Sequence, residues 1–429
     1  MNAPCYIGVD LGTSGCRAVA IDADRRTVAE ARSALPEPIR DGTSGVEQDP
    51  ELWWNAVTLV LRELAGQLGG YSPRALCVDG TSSTLLLSDS DGTPLAPALM
   101  YSDGRSLTEA AQIDRGAPTQ SPARGASSSL AKLLHLKRRL NPGPGTRALH
   151  QTDWIIGRLT GHFGISDWNN CLKLGHDPQT ERWPGWLAHL GLEPVRLPEV
   201  VAPGTPVGYL SGRASDSTGL GNQTLVLAGT TDSTAAVIAA GAATPGTAVT
   251  CLGSTLVLKI AGRQPVTAPE YGIYSHRLGG LWLIGGASNS GGAVLRRYFD
   301  DTRMKQLSEA MEPDRPTGLD YYPLPATGER FPINDGSLAP RMSPRPEDDV
   351  RFFQGMLEGI ARIEAAGYKR LEELGAPRPH AVLSTGGGAA NQAWTRIRER
   401  LLGVPVTPAG HQEAAFGTAL IALSAELPT

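Results

Sequence analysis

The sequence predicts two α/β domains of related topology, and three observations carry that expectation. Short apolar, β-rich runs alternate with helical patterns along the chain. The stretch GVDLGTSGCRAVAID (8–22) joins two such runs through a tight Gly-Thr-Ser-Gly turn, and AVTCLGSTLVLKI (248–260) repeats the design. A length of 429 residues with 41% hydrophobic side chains is enough to build two large cores.

The elements follow in order. Residues 5–11, 17–21 and 28–33 read as strands linked by GTSG and DADRR turns. Asp49 suits an N-cap and Pro50 the first helical position, so a helix is expected from there through Trp53 and Trp54 to about 68. A buried strand over 75–78 ends in Asp79-Gly80-Thr81-Ser82-Ser83. Helices are expected at 129–140 and 152–159, strands at 204–209 and 225–228, and a small-residue helix at 232–243. From Thr247 the pattern restarts. A long helix is expected at 348–374, a strand at 380–384, a glycine loop at 386–391, a helix at 393–402 and a last helix near Gln412. In the two hairpins Val9-Asp10-Leu11-Gly12-Thr13-Ser14 overlays Thr250-Cys251-Leu252-Gly253-Ser254-Thr255, and only the first copy carries a carboxylate. That asymmetry is what a single site shared in a cleft between two domains would need.

Composition excludes several classes. A net charge of −4 and a pI near 6.1 leave no basic stripe to neutralise phosphates, so no nucleic-acid partner is expected. Five dispersed cysteines without a CxxC pair read as reduced thiols, and the expected location is the cytoplasm. No basic-then-apolar leader and no bilayer-length apolar run is present in the sequence, so no signal peptide and no membrane association are expected. There is no GxxxxGK[ST], no HExxH and no Cys/His set with zinc spacing.

Four polar clusters remain, each open to two readings. Backbone N–H groups of the GTSG turn, with Thr13 and Ser14, form a donor cradle suited to phosphate, beside which Asp10 could hold a divalent metal; a hairpin turn capped by Asp uses the same residues. Asp232, in LAGTTDS, stands where a strand ends and a helix begins, and could take a proton from a hydroxyl or cap the helix. Thr81, Ser82, Ser83 and Thr84 follow a buried strand and suit a polyol, or make an ordinary polar loop; Asp103 and Arg105 in MYSDGRS belong to the same wall or to a surface ion pair. In GGGAANQAW, glycines precede a helix, with Asn391 and Trp394 placed for a base edge and a stack, or for a core turn.

The order of these motifs resembles the FGGY carbohydrate kinases, of the actin-like, sugar-kinase and heat-shock-chaperone ATPase superfamily. The likeness runs through EQDPELWW, MYSDGRS, ISDWNNCLKLGHDP, LAGTTDSTAA, CLGSTLVLKI, ASNSGGAVLRRY, GERFPINDGSLAPRM, FFQGMLEGIARIE, GGGAANQAWTRIRERLLGVPV and EAAFGTALIA. It implies actin-like (ribonuclease H-like) ATPase domains with a catalytic cleft between them, a sugar-binding domain over 1–240 and a nucleotide-binding domain over 241–429. It implies ATP and Mg2+ as cofactors and a ketose or polyol as acceptor. Asp10, Gly12, Thr13 and Ser14 resemble the first phosphate and metal element, and Gly253, Ser254 and Thr255 the second. Gly387, Gly388 and Asn391 resemble the adenosine motif, with Trp394 nearby. Asp232 resembles the catalytic base and a second metal contact. Thr81, Ser82, Ser83 and Asp103 fall on the sugar side. A xylulokinase of this family carries a Gly-Gln-Met-His-Gly-like segment where this chain has Asp-Gly-Thr-Ser-Ser-Thr, and a glycerol kinase carries a Gln-Arg motif there. The chain looks like the compact branch of D-ribulose kinases, some first called xylulose kinases. D-ribulose is therefore the expected acceptor, with D-xylulose or another polyol as the alternative and a catalytically weak sugar-responsive regulator as the alternative of another class.

Overall fold

The structure, a computed structural model, describes residues 2–425. The chain divides into two compact units, Met1–Ala239 together with Glu413–Thr429, and Ala240–Gln412.

The first unit is built on a mixed sheet. Its strands run in the order Pro206–Tyr209, Leu225–Leu227, Tyr71–Gly80, Ala3–Leu11, Gly15–Ile21 and Thr27–Ala34, with Thr230–Thr231 also pairing with Tyr71–Gly80. Ala3–Leu11 lies antiparallel to Gly15–Ile21, its hairpin partner, and parallel to Tyr71–Gly80. The Pro50–Gln67 helix begins as its cap residues dictate: the Asp49 carboxylate accepts from the Glu51 N–H, and Pro50 takes the first position. It buries Trp53 edge-on against Trp154 of the Gln151–Thr160 helix, with ring centroids 6.3 Å apart.

The second unit repeats the ladder. Its sheet runs Tyr274–Leu278, Leu281–Ser288, Leu256–Gly262, Thr247–Leu252, Ala381–Thr385, Val406–Pro408. Again a central strand is antiparallel to its hairpin partner and parallel to a strand far along the chain. The weak sequence repeat is thus a repeat of topology. Phe352, Phe353, Ile360 and Leu371 of the Asp349–Glu373 helix fill the core beneath, with Phe331.

One grouping differs from the sequence expectation of a second domain over 241–429. The last helix, Ala414–Ser424, packs on the first sheet, where Ala415, Phe416, Ala419 and Ala422 join Tyr6, Ile21, Cys77 and Leu227. Two glycines make this possible. A Cβ on Gly8 would lie 2.0 Å from the Ala415 carbonyl oxygen, and one on Gly417 would lie 1.9 Å from that of Ala235. Backbone meets backbone at both points, so the helix belongs to this unit by steric fit.

Short strands escaped the sequence reading. A five-stranded sheet of Ile39–Arg40, Val46–Gln48, Ala98–Leu99, Leu85–Ser88 and Arg147–His150 has members of two to four residues, too short to show a period.

Candidate active site

The carboxyl ends of three neighbouring strands bring aspartates together. Asp10 lies directly opposite Asp79 in the parallel register, and Thr230 and Thr231 lie opposite Asp79 and Gly80. Asp232 follows at once as the first residue of the Asp232–Ala240 helix, its Oδ1 accepting from the Ser233 N–H at 2.6 Å. Asp79 is fully buried; Thr418 Oγ1 donates to its Oδ2, and its Oδ1 has no hydrogen-bond donor. Burial, and then the charge of Asp10, push the Asp79 carboxyl far above the usual carboxylate range. Burial also raises Asp10, against the lowering pull of the Asp79 hydrogen bond and the Arg17 guanidinium. Among the described residues no group of three or more His, Cys, Asp or Glu forms a cage of its own. One or two carboxylates beside phosphate oxygens is the donor set Mg2+ takes, and an acceptor oxygen left unpaired at Asp79 fits a cation close by. From sequence Asp79 is only the first residue of the polar loop and carries no role of its own, although CVDG closes its strand as GVDLG closes the first.

The Gly12-Thr13-Ser14 turn is closed by the Gly12 N–H bonding to the Gly15 carbonyl at 3.0 Å, with Ser14 exposed. Beyond Asp79 lies the hydroxyl loop. Here the structure gives Thr81 a different task from the one expected. Its N–H and its Oγ1 both bond to Gln151 Oε1 at 2.9 Å, and its Oγ1 also meets Thr84 Oγ1 at 2.6 Å, so it is a post inside the wall. Ser82 Oγ and Ser83 Oγ are buried and have no hydrogen-bond partner. Gln151 Nε2 and Thr152 Oγ1 are likewise unpartnered, and both residues crowd Gly80, where a Cβ would lie 2.8 Å from Thr152 Oγ1 and 3.0 Å from Gln151 Oε1. Neither residue was singled out from sequence.

Asp103 is also placed differently from a ligand-facing group. It has no exposed surface, accepts from the Val46 N–H at 2.6 Å and from Arg105 Nε at 2.8 Å, while Arg105 reaches Glu47 at 2.8 Å. The pair is internal rather than on the surface, and it ties this corner to the small sheet. Lys132 does the same for the loops: its fully buried Nζ donates to the carbonyls of Ser83, Tyr101 and Ser127 at 2.9, 3.2 and 2.9 Å. Burial lowers its ammonium pKa to about 7.

In the second unit the Gly253-Ser254-Thr255 turn is braced from behind. Gly292 and Ala293 donate to the carbonyls of Gly253 and Ser254, and Leu256 donates to that of Ser290. The glycine loop after Ala381–Thr385 lies against it, since a Cβ on Gly386 would stand 2.9 Å from the Leu252 carbonyl carbon. A cavity of about 990 Å³ opens here, lined by Gly253, Ser254, Gly387, Gly388, Asn391 and Trp394 among others, a size that suits a small-molecule ligand. Two of these residues are more committed than the sequence reading supposed. Asn391 Oδ1 caps the Trp394 N–H at 3.0 Å and its Nδ2 donates to Ser308 Oγ at 2.9 Å. Trp394 is 3% exposed, gives its indole N–H to the Leu357 carbonyl, and packs under Gly388. It is a core tryptophan that closes the cavity floor. Below both loops, Arg398 and Glu364 form a fully buried two-point ion pair that also holds Thr250 and Ser384, one on each central strand.

Comparison with known proteins identifies the family. Residues 5–239 match the N-terminal domain, and residues 248–426 the C-terminal domain, of the FGGY family of carbohydrate kinases. The xylulose kinase of Streptomyces coelicolor is 30% identical over 441 residues, covering 97% of this chain and 87% of that protein. The solved xyloylose kinase of Brucella ovis superimposes with a TM-score of 0.85 at 25% identity, over 98% of this chain and 90% of that one. A glycerol kinase from Plasmodium falciparum, solved with ADP, shares the fold with a TM-score of 0.84 at 16% identity, over 99% and 90% of the two chains. With both halves matched in order and the ladder repeated in each unit, the chain belongs to the FGGY family of carbohydrate kinases.

Proposed function

We propose that this protein transfers the γ-phosphoryl group of ATP to a primary hydroxyl of an open-chain ketopentose, D-ribulose in preference to D-xylulose. The observation that supports a hydroxyl-rich acceptor is the set of buried, unpartnered polar atoms on Ser82, Ser83, Gln151 and Thr152, beside the strand end that leads into Asp232, and the preference for D-ribulose rests on the Asp-Gly-Thr-Ser-Ser-Thr loop. Each such group left unmet costs roughly 1–3 kcal/mol, so a ligand rich in hydroxyls is favoured there. Asp232 takes the proton of the attacking hydroxyl as its oxygen bonds to the γ-phosphorus and the bond to ADP breaks. Gly12, Thr13 and Ser14, and in the other unit Gly253, Ser254 and Thr255, offer backbone and hydroxyl donors to phosphate oxygens. Gly387, Gly388 and Asn391 form the nucleoside side, with Trp394 beneath. Asp10 and Asp232 would hold Mg2+, which supplies charge neutralisation between the phosphates.

D-xylulose as the first substrate is the second reading, favoured by relatives such as the Streptomyces xylulose kinase. ATP consumption measured with D-ribulose, D-xylulose, pentitols, glycerol and no acceptor separates the possibilities. Acceptor-dependent ADP release is expected with a ketopentose. Release that ignores every acceptor makes the protein an ATPase of another kind, and no release at all makes it a binding protein.

A further inference from the structure

Gln151 holds its amide in one orientation. Its Oε1 accepts from the Thr81 N–H, a group that can only donate, and from Thr81 Oγ1. The carbonyl end must therefore face Thr81, and the NH2 end must face away. That end, Nε2, is buried, and no acceptor meets it. The residue has no exposed surface, and it is the first residue of the Gln151–Thr160 helix, its own N–H bonded to the Thr84 carbonyl. Gly80 faces it, and Thr231, the residue before Asp232, pairs with Gly80. Gln151 and Thr152, whose Oγ1 is also unpartnered, thus meet the strand end at Gly80, and the NH2 of Gln151 lies on the side turned away from Thr81.

The unpartnered groups differ in what they can accept. Ser82, Ser83 and Thr152 present hydroxyls, which donate or accept and so match the hydroxyls of any polyol. The free end of Gln151 only donates. Any sugar oxygen can accept from it, but a hydroxyl placed there brings a proton that needs an acceptor of its own, whereas an open-chain ketose has one oxygen that only accepts, the carbonyl oxygen. We infer that Gln151 reads the carbonyl of the acceptor sugar through Nε2, and so selects ketoses against the pentitols derived from them. This rests on the kinase reading above and adds the residue that distinguishes the two substrate classes.

The experiment compares kcat/KM for D-ribulose and D-xylulose with that for ribitol and xylitol, under saturating Mg-ATP, in the parent chain, Gln151→Leu and Gln151→Glu. The Glu variant keeps an acceptor for Thr81 and removes the free donor, so it separates substrate reading from support of the loop. Both variants are expected to lose ~10- to 100-fold on ketoses, with a loss on pentitols at least ~10-fold smaller and KM for ATP unmoved. Equal losses on both classes, or no loss on either, overturn the inference and leave Gln151 as a loop support. Should neither variant fold, the parent alone decides: calorimetric binding without nucleotide must favour a ketopentose over its pentitol by ~10-fold or more, and equal affinities overturn the inference. A parent that phosphorylates no acceptor at all sinks the kinase reading, and this inference with it; a parent that phosphorylates ketoses leaves that reading standing whatever the variants do.

Discussion

Asp10 and Asp79 stand opposite one another on adjacent parallel strands, in register, and Asp79 has no exposed surface. Two carboxylates so placed repel, and burial raises the cost of charging either. The arrangement favours a cation on the Asp10 side, and Asp232 adds its charge from the next strand end.

The row therefore holds carboxylates with separable tasks. Asp10→Ala removes a like charge next to a buried neighbour, so the melting temperature of the free chain should stay level or rise while Mg2+-dependent turnover collapses. Asp232→Asn should lower kcat by at least ~10²-fold, with ATP affinity nearly unchanged, as follows from its proposed role as base for the acceptor hydroxyl. Turnover titrated against Mg2+, with thermal melts alongside, reads both. Parent-like Mg2+ dependence in the first variant removes Asp10 from the metal site, and near-parental turnover in the second leaves Asp232 as a helix cap.

Trp394 should behave as a core residue before it behaves as a ligand contact. It is 3% exposed, and its N–H is bonded to the Leu357 carbonyl. Trp394→Ala is expected to cost roughly 3–5 kcal/mol of unfolding free energy. Trp394→Phe keeps a ring and gives up the hydrogen bond, at about 1 kcal/mol. Denaturant titration of both variants measures this. A weakened ATP affinity at parental stability would instead restore the stacking role expected from sequence.

Stability should depend on pH through Asp167. This fully buried carboxyl is raised from 3.8 to about 7, first by burial and then by the charge of Asp153, although the N–H groups of Asn169 and Asn170 and the Asn170 side chain pull it down. Its unfolded value lies near 4, so between about 4 and 7 the folded chain binds the extra proton. The contribution is present at low pH and is lost as pH rises through about 7. Asp167→Asn keeps the cap, and Asn170, whose Oδ1 lacks a partner, can turn its amide to accept from the new one. The variant should match the parent near pH 4 and exceed it by a few kcal/mol at pH 8. Chemical denaturation at the two values tests the slope. A gap that stays constant with pH would show that Asp167 is ionised throughout.

What could be read from sequence was local. Asp10 and Asp232 announce themselves because a carboxylate at the end of an apolar run is anomalous within a few residues, and Asp49-Pro50 caps its helix with its own neighbours. The parts that stayed hidden act at a distance. Gln151 holds Thr81 across 70 positions, and Lys132 holds the Ser83 carbonyl across 49. No periodicity connects such partners. Trp394 shows the same limit differently: an aromatic beside a glycine loop is visible, but which way it faces depends on Leu357, 37 positions earlier.

In the proposed reading the choice of sugar turns on the hydroxyl loop. Ser82 Oγ and Ser83 Oγ are buried without partners, while Thr81 is tied to Thr84 and Gln151 and Asp103 to Val46 and Arg105. The two serines are therefore the members of the expected sugar wall that remain available. Small hydroxyl side chains leave room for a five-carbon open chain and can pair its hydroxyls. Glycerol is too short to meet all of them, at roughly 1–3 kcal/mol for each group left unmet. D-ribulose and D-xylulose differ by one inverted hydroxyl, so a preference of ~10- to 100-fold for D-ribulose is what one hydrogen bond supports. Transfer to O5 is expected, giving the 5-phosphate. The measurement is kcat/KM for the three acceptors under saturating Mg-ATP, repeated with Ser82→Ala and Ser83→Ala. Each serine change should lower kcat/KM for D-ribulose by ~5-fold or more and narrow its lead over D-xylulose. If D-xylulose leads by tenfold in the parent chain, the second reading replaces the first and the kinase assignment stands. If neither serine change moves any sugar, the acceptor does not lie along this loop.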